Sequence, residues 1–349
     1  MTQDDAVITT DIAVIGAGIA GASVAALLAE DHQVLLLEGE DRPGYHTSGR
    51  SAASYVVSYG PEVVRKLTRA SRSFLFDPPE GFADVPLVID REFLAVATPE
   101  RAALIAAELA QGPELDPVDE ATIRRMVPLI RPGSLAGGVT EPGARSIDVD
   151  AMLQGFLRLF RGRGGQLMCR AGVSAIERRN GGWRLQAGGR QVEARILVNA
   201  AGAWVDGVAR MAGLPAIGFK PLKRTAAIVR FDKPADPDWP LTVDLDHQWY
   251  FKPEGQYLLV SPADEQPSAA CDAWAEDMDV AIAIDRLGAI LDAEPLSVES
   301  SWAGLRTFSP DGVPVVGYDT EAPGFFWLAG QGGYGMQTAP AMAFLAAAL

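Results

Sequence analysis

The N-terminal part of the chain alternates short apolar runs with a glycine-rich turn. Residues 11–15 form an apolar run of the length typical of a central parallel strand, and residues 34–37 form a second one. Between them, residues 22–30 are rich in alanine and leucine and favour a helix. This order predicts one β-α-β unit of about thirty residues.

The later pattern predicts further helices and strands without a linker or repeat between them. We expect helices at residues 61–76, 100–111, 150–161 and 278–291, and a last helix near the C-terminus. Strand-like runs occur at residues 191–198, 225–231, 248–251, 257–260 and 324–328. Because helical and strand-like segments mix along the chain, we predict two interleaved domains.

Composition and charge narrow the class of protein. The 349 residues include 30 Lys+Arg and 45 Asp+Glu, a net charge of −15, which argues against nucleic-acid partners and anionic membranes. With 48% hydrophobic residues the chain can build a large core. Two cysteines, Cys169 and Cys271, favour a reducing cytoplasm. The first residues lack a basic signal-peptide segment, and no apolar run reaches the ~18 residues of a membrane span.

The turn of the β-α-β unit carries a dinucleotide motif. Gly16 permits the tight turn, Gly18 lets the backbone approach a pyrophosphate, and Gly21 lets the helix pack closely. The helix N-terminus supplies free N–H groups and a partial positive charge. Glu38, at the end of the second strand, would accept hydrogen bonds from a ribose diol. The motif predicts NAD or FAD without choosing between them.

A second glycine-rich segment favours FAD. Residues 330–338 lie between a predicted strand and the last helix, where their N–H groups can serve a flavin ring or pyrophosphate. The three histidines are scattered and lack metal-ligand spacing, and there is no nucleophile elbow or P-loop. The sequence therefore predicts no metal site and gives no support to a hydrolase or kinase.

Together these segments resemble the D-amino-acid oxidase (DAO) superfamily of FAD-dependent oxidoreductases, and within it bacterial D-arginine dehydrogenases most. The resemblance implies an α/β fold, with a Rossmann-like FAD-binding domain of the glutathione-reductase type interleaved with an α+β substrate domain built on an antiparallel sheet. The similar segments are residues 15–23, 43–53, 197–204, 302–306 and 331–335. The implied domains are 1–55, 145–210 and 300–349 for FAD, and 56–144 and 211–299 for the substrate.

The resemblance also implies which residues hold the cofactor. Neither cysteine falls in a flavin-contacting motif, so a noncovalent FAD is favoured. The implied FAD-binding residues are Gly16, Ala17, Gly18, Ile19, Ala20, Gly21, Glu38, Gly39, Thr47, Ser48, Gly49, Arg50, Ser51, Ala52, Val173, Gly202, Trp204, Gly330, Gly332, Gly333, Tyr334, Gly335, Met336, Gln337 and Thr338.

Five positions match the substrate cage of the family. Arg306 would bind a carboxylate through two parallel charge-assisted hydrogen bonds, and Tyr250 would add a hydroxyl. Arg224 matches a second active-site arginine and Tyr59 a pocket tyrosine. The carbonyl of Gly333 would accept a hydrogen bond from the substrate amine.

Two positions depart from the D-arginine dehydrogenases. Ser54 stands where they have a histidine near the substrate. Their guanidinium-binding acidic residue falls on Phe93, with Glu92 beside it. If Phe93 faces the pocket, an apolar or aromatic D-amino acid fits better than a cationic one, since an unpaired buried charge is costly. If the alignment is instead shifted by one residue, Glu92 takes the position of the acidic residue, and a cationic side chain is favoured.

The implied activity is oxidative deamination of a D-amino acid to the 2-oxo acid and ammonia, with hydride transfer from Cα to flavin N5. The alternatives are an oxidase of glycine, sarcosine or another N-substituted amino acid, a 2-hydroxy-acid dehydrogenase, and a flavin-binding protein without turnover. The electron acceptor (oxygen, a quinone or another compound) stays open. Relatives usually continue with a short tail beyond the position of Leu349.

Overall fold

The computed structural model describes residues 7–349, so the expectation about a signal peptide concerns residues outside the described range. Within that range the strands are β1 (Ile8–Ile15), β2 (Val34–Leu37), β3 (Ser54–Tyr55), β4 (Val88–Asp90), β5 (Phe93–Ala97), β6 (Asp116–Val118), β7 (Gly137–Glu141), β8 (Arg145–Ile147), β9 (Gln166–Met168), β10 (Val173–Arg179), β11 (Gly182–Ala187), β12 (Arg190–Asn199), β13 (Lys220–Phe231), β14 (Leu241–Asp244), β15 (Tyr250–Glu254), β16 (Tyr257–Ser261), β17 (Gln266–Pro267), β18 (Pro295–Phe308), β19 (Val315–Tyr318) and β20 (Phe325–Ala329). The helices are α1 (Ile19–Leu28), α2 (Glu62–Phe76), α3 (Ala103–Leu109), α4 (Glu120–Met126), α5 (Val149–Gly162), α6 (Val205–Met211), α7 (Asp277–Ile290) and α8 (Gly335–Ala348). Short 3-10 helices cover Thr47–Arg50, Pro99–Arg101 and Gly202–Trp204.

The first sheet contains the predicted β-α-β unit. Its parallel strands run in the order β20-β12-β1-β2-β9, and β10, β11 and β19 extend it as antiparallel strands. Helices α1, α5 and α8 contribute to the core on one face, and α6 to the core on the other. Burial on both faces explains why β2 is apolar at all four positions.

The second sheet has nine strands in the order β17-β13-β16-β15-β14-β5-β7-β6, with β18 also paired to β13. All its pairs are antiparallel except β14 with β5, so the expected antiparallel sheet contains one parallel pair. Helices α4 and α7 pack on one face. Strands β3, β8 and β4 form a third, small sheet.

The element predictions differ from the structure at long elements as well as short ones, since no strand was predicted at β10 (Val173–Arg179) or β18 (Pro295–Phe308). Helix α3 begins at Ala103 rather than at residue 100, because Pro99–Arg101 forms a 3-10 turn first. Strand β15 begins at Tyr250 rather than at residue 248. Strands β4 to β8 have only three to five residues each and were not predicted. None of the helices in residues 7–349 has the length and apolar character needed to cross a membrane.

The two large sheets meet at the 3-10 helix Thr47–Arg50. The Thr47 hydroxyl donates to the carbonyl of Leu305 in β18 at 2.8 Å. The indole N–H of Trp302, also in β18, donates to the carbonyl of Arg50 at 3.0 Å. This contact places one face of the second sheet next to the starts of α1 and α8.

Candidate active site

The glycine turn between β1 and α1 leaves no room for side chains. Gly16 has φ +99°, and a Cβ added there would lie 2.5 Å from the carbonyl oxygen of Ala200. A Cβ on Gly21 would lie 1.8 Å from the carbonyl oxygen of Gly16. Both approaches are far shorter than van der Waals contact, so the turn and the close packing of α1 require glycine at these positions.

The first turn of α1 presents unused backbone donors. The N–H of Ile19 donates to the Ser48 hydroxyl at 2.9 Å. The N–H groups of Gly18, Ala20 and Gly21 have no hydrogen-bond acceptor among residues 7–349, and the N-cap residue Gly18 has no side chain to supply one. Such a helix start favours an anion through its free N–H groups and its partial positive charge.

Glu38 lies at the carboxyl end of β2, beside this turn. One carboxylate oxygen accepts from the N–H of Ala17 at 2.9 Å, and the other accepts from Glu40 at 3.0 Å. The N–H of Ala171 donates to the Glu38 carbonyl at 2.7 Å, which brings the start of β10 at Val173 close to this point. Each carboxylate oxygen keeps a lone pair, so Glu38 can still accept from a ribose hydroxyl.

A cleft lies between the starts of α1 and α8 and the second sheet. Its sheet wall consists of Arg224, Ala226, Tyr250, Gly304 and Arg306. Its helix wall consists of Ile19, Gly332, Gly333, Gly335 and Met336. The segment Thr47–Ala52 contributes Thr47, Ser48, Arg50, Ser51 and Ala52. Thirteen of these fifteen residues are among the predicted site residues.

Ala226 and Gly304 are the two lining residues that the sequence prediction missed. Ala226 is two positions beyond Arg224 on β13, and Gly304 two before Arg306 on β18. Side chains of a strand alternate between its faces, so residues two apart share a face. That alternation would have identified both residues once Arg224 and Arg306 were taken to face the ligand.

Several predicted residues lie outside this cleft. Gly16 to Gly21 and Glu38 lie on the turn and strand end beside it, and the others have the positions given below. The predicted residues that do not line the cleft are Gly16, Ala17, Gly18, Ala20, Gly21, Glu38, Gly39, Gly49, Ser54, Tyr59, Val173, Gly202, Trp204, Gly330, Tyr334, Gln337 and Thr338.

Some of the predicted side chains are used within the protein. The Gln337 amide accepts from Val56 N–H at 3.1 Å and donates to the Thr68 hydroxyl at 2.9 Å. The Thr338 hydroxyl donates to the carbonyl of Tyr334 at 2.8 Å, inside α8. The Gln337 amide and the donor of the Thr338 hydroxyl are therefore already used within the protein.

Two other predicted residues point away from the cleft or lie beside it. The Ser54 hydroxyl donates back to the Ala52 carbonyl at 3.4 Å within the β3 region, so no contact places it in the cleft. Trp204 lines a small neighbouring cavity together with His46 and Cys271, and this cavity shares Thr47, Arg50 and Gly304 with the cleft. Neither residue joins the arginines of the sheet wall.

Arg306 lies where the two walls meet. One of its terminal nitrogens donates to the Tyr59 hydroxyl at 3.3 Å. A Cβ added to Gly333 would lie 2.9 Å from the Arg306 Cζ atom, so the absence of a side chain lets the backbone lie against the guanidinium. The Tyr59 ring packs edge-on against Tyr334 at 4.9 Å between centroids. The predicted cage residues Arg306, Tyr59 and Gly333 are thus in contact.

Arg224 is the second guanidinium of the sheet wall. It donates to the carbonyl of Asp264 at 2.7 Å and to the carboxylate of Glu265 at 2.9 Å, and its Cζ lies 5.9 Å from the Tyr250 ring centroid. Burial lowers the pKa of Arg224, and the positive charge of Arg306 lowers it further. Because the two cations repel each other, an anion bound between them would stabilise both.

The charge of the cleft is opposite to that of the whole chain. None of the described residues that line it is acidic, although the chain carries a net charge of −15. Its cations are Arg50, Arg224 and Arg306. Local charge, rather than net charge, therefore makes this site suitable for a small anionic ligand.

Phe93 and Glu92 have opposite environments. Phe93 is 7% exposed and belongs to the apolar cluster that packs against Tyr59, together with Val56. Glu92 is exposed. Phe93 is therefore buried in the same apolar cluster as Tyr59, Glu92 faces solvent, and neither side chain lines the cleft.

The residues present fit a flavin dinucleotide. The helix wall joins two helix N-termini, since a Cβ on Gly335 at the start of α8 would lie 3.7 Å from Ile19 Cγ2 at the start of α1. The free N–H groups of α1 suit a pyrophosphate, and the cleft beside them has room for a ring system. No cluster of three or more His, Cys, Asp or Glu side chains in residues 7–349 could hold a metal ion.

Comparison with protein families decides the classification. The family model for FAD-dependent oxidoreductases, DAO, matches residues 11–349. The chain belongs to the DAO family. The α/β fold and the FAD cofactor expected from the sequence of this DAO-family chain are confirmed.

Individual relatives of the DAO-family chain are more distant. Human dimethylglycine dehydrogenase is 25% identical over 242 residues, which cover 63% of this chain and 28% of that protein. Human sarcosine dehydrogenase is 24% identical over 253 residues, covering 67% of this chain and 27% of that protein. The DAO-family chain thus spans little more than a quarter of the length of these relatives.

Solved structures show the same fold. Glycine oxidase from Geobacillus kaustophilus superposes with a TM-score of 0.85 at 22% identity, covering 98% of this chain and 94% of that one. L-proline dehydrogenase from P. horikoshii gives 0.82 at 18% identity, with 98% and 93% covered. The family is therefore confirmed, whereas these relatives do not bear out a specific likeness to D-arginine dehydrogenase.

Proposed function

We propose that this flavoprotein oxidises the Cα–N bond of a small amino acid, and that its preferred substrate is glycine or an N-methylated glycine. The observation that carries the proposal is the sheet wall, on which two guanidiniums and Tyr250 share one face and no acidic side chain lines the cleft. This proposal replaces the D-amino acid expected from the sequence by the alternative that the sequence left open.

The arginines of the sheet wall provide a binding site for the substrate carboxylate. Arg306 is bonded only to the Tyr59 hydroxyl within the described residues, so its remaining N–H groups are available for a bidentate contact. Arg224 is hydrogen-bonded to Asp264 and Glu265. It therefore contributes positive charge rather than a pair of free N–H groups for a bidentate contact. We therefore assign carboxylate binding to Arg306, with Tyr59 and Tyr250 as hydroxyl partners.

The same charges favour a neutral substrate amine. A protonated amine would lie in a cleft with two guanidiniums and no carboxylate, so its pKa is expected to fall on binding. The Gly333 carbonyl can accept from the amine, as the sequence suggested. FAD, bound without a covalent link, supplies the hydride acceptor. The protein then has to orient the substrate and exclude water, and no side chain has to act as a strong base.

The polarity of the cleft disfavours a cationic substrate side chain. A guanidinium or ammonium side chain would find no carboxylate among the residues that line the cleft, and Phe93 belongs to the apolar cluster that packs against Tyr59. The names of the relatives, dimethylglycine and sarcosine dehydrogenase and glycine oxidase, support a glycine derivative.

The test is anaerobic reduction of the bound flavin, followed as loss of its visible absorbance. The panel contains glycine, sarcosine, N,N-dimethylglycine, L-proline, D-alanine, D-arginine and glycolate. We expect one of the three glycine compounds to reduce the flavin fastest. Faster reduction by D-arginine or glycolate would overturn the proposal, and no reduction by any compound would favour flavin binding without turnover. Peroxide release in air identifies oxygen as an acceptor.

A further inference from the structure

A buried carboxylate outside the cleft is not used by the proposed chemistry. Glu141, at the end of β7, is 1% exposed. One of its oxygens accepts from the N–H of Val57 at 2.7 Å, and the other accepts from the N–H of Ser58 at 3.0 Å. Burying a carboxylate is costly unless it is well hydrogen-bonded, so this contact constrains the loop strongly.

A second buried side chain holds the preceding residue of the same loop. Gln337, in the first turn of α8, is 2% exposed and accepts from the N–H of Val56 at 3.1 Å. Three successive N–H groups, from Val56 to Ser58, are thus bonded to side chains from two separate elements. Backbone groups of a connecting segment more often bond to water or to their own chain neighbours.

This loop delivers Tyr59 to Arg306. The Tyr59 hydroxyl accepts from the Arg306 guanidinium at 3.3 Å, and the next residue, Gly60, lies against Tyr334. A Cβ on Gly60 would be 2.8 Å from the Tyr334 ring, so the chain is closely packed just after Tyr59. The position of the hydroxyl therefore depends on the backbone of residues 56–58.

We propose that Glu141 is a positioning residue for substrate binding: it fixes the loop so that the Tyr59 hydroxyl stays on the Arg306 guanidinium. The proposal rests on the carboxylate-binding role assigned to Arg306 above. In Glu141→Gln, an NH2 group replaces one acceptor oxygen and faces a backbone N–H. The loop must then shift, and the Tyr59 hydroxyl moves with it.

A double-mutant cycle tests whether Glu141 acts through Tyr59. The dissociation constant of N,N-dimethylglycine is measured by calorimetry without oxygen on protein whose FAD has first been reduced, so that binding occurs without turnover, for the wild type, Glu141→Gln, Tyr59→Phe and the double variant. In the wild-type background, we expect Glu141→Gln to weaken binding about tenfold, since one buried backbone N–H loses its acceptor. In the Tyr59→Phe background, we expect the same change to weaken binding about twofold or less.

The matched control is Asp319→Asn. Asp319 also accepts from two backbone N–H groups, those of Glu321 and Ala322, but in the turn between β19 and β20 and away from the cleft. The Asp319→Asn variant should have a lower thermal midpoint of unfolding than the wild type and the same dissociation constant for N,N-dimethylglycine. If Glu141→Gln does not yield folded protein, Glu141→Asp, which keeps both acceptors on a shorter side chain, replaces it in the cycle.

The outcomes separate this inference from the proposed function. An equal loss of affinity from Glu141→Gln with and without Tyr59→Phe, or no loss in either case, overturns the positioning role. Acetate is titrated in parallel because it carries only the carboxylate. If the cycle holds for both ligands while no glycine compound reduces the flavin, the positioning role stands and the proposed reaction fails. If neither ligand binds the wild type, both fail.

Discussion

On the helix wall the groups that face the ligand space are main-chain donors at the starts of α1 and α8, whereas on the sheet wall they are the side chains of Arg224, Tyr250 and Arg306. The helix wall and the turn beside it depend on glycines, because an added Cβ would strike the backbone at Gly16 and Gly21 and the Phe308 ring at Gly332. The sheet wall depends on particular side chains at alternate strand positions. Substitutions that disrupt the helix wall should therefore release FAD. Substitutions in the sheet wall should weaken substrate binding while FAD stays bound.

The largest effect is expected from Arg306→Ala. We expect kcat/KM for the best substrate to fall about a thousandfold, because a buried charge pair with the carboxylate is lost. The flavin content of the purified protein should stay at the wild-type level. Arg230→Ala, which removes an exposed arginine from β13, is the matched control and should change neither quantity. Unchanged kcat/KM in Arg306→Ala would contradict the assigned role.

Gly21→Ala should act on the opposite wall. Its Cβ would lie 1.8 Å from the Gly16 carbonyl oxygen, so the turn must open. We expect a destabilisation of about 3 kcal/mol and protein that purifies with little FAD, measured by its visible absorbance. Gly207→Ala is the matched control, since a Cβ there meets nothing within 4 Å and lies inside α6. The Gly207→Ala control should be neutral or slightly stabilising. Full FAD retention in Gly21→Ala would show that this turn is not needed for FAD binding.

Gly333→Ala probes the point where the two walls touch. The new Cβ would be 2.9 Å from Arg306 Cζ, and a guanidinium at the end of a flexible side chain can move aside. We expect FAD to be retained, the thermal midpoint to change little and KM to rise about tenfold, as for loss of one charge-assisted hydrogen bond. A loss of FAD with unchanged KM would assign Gly333 to the cofactor alone.

The smallest effect concerns alkaline pH. Burial raises the pKa of Tyr334 to about 12, and nearby Tyr59 adds to the rise. An unfolded tyrosine ionises near pH 10, so the stability that neutral Tyr334 contributes is complete below pH 10 and is lost as the pH rises to about 12. In Tyr334→Phe the fall of the thermal midpoint between pH 9 and pH 11 should be smaller than in the wild type. Equal slopes for both proteins would refute this assignment.

The helix wall was predictable from the sequence because its requirement is local. The spacing of Gly16, Gly18 and Gly21 between two apolar runs determines the turn, and the glycines near residue 332 follow the same logic. Gly21 is constrained by Gly16 in the same connection, and Gly16 by Ala200 just after the neighbouring strand, whereas Gly332 is constrained by Phe308 of β18 in the second sheet.

The sheet wall and its support were less predictable. Ala226 and Gly304 are ordinary strand residues until the pairing of β13 with β18 is known. Glu141 lies more than eighty positions from the amides that it binds, and no local pattern marks it. Gln337 was predicted as a cofactor residue from its place in a glycine-rich segment, but its side chain bonds elsewhere. Such contacts depend on tertiary packing, which a single sequence does not display.

Arg50 joins the two walls in a way that bears on how the protein can change over evolutionary time. Its guanidinium donates to the carbonyls of Ala273 at 2.7 Å and Ala303 at 2.9 Å. Every residue type offers a carbonyl, so mutations that alter the side chains at these two positions keep the acceptors. The strand that carries the substrate-facing residues can therefore diverge in sequence, and the enzyme can acquire a new specificity, while the strand stays anchored beside the coenzyme.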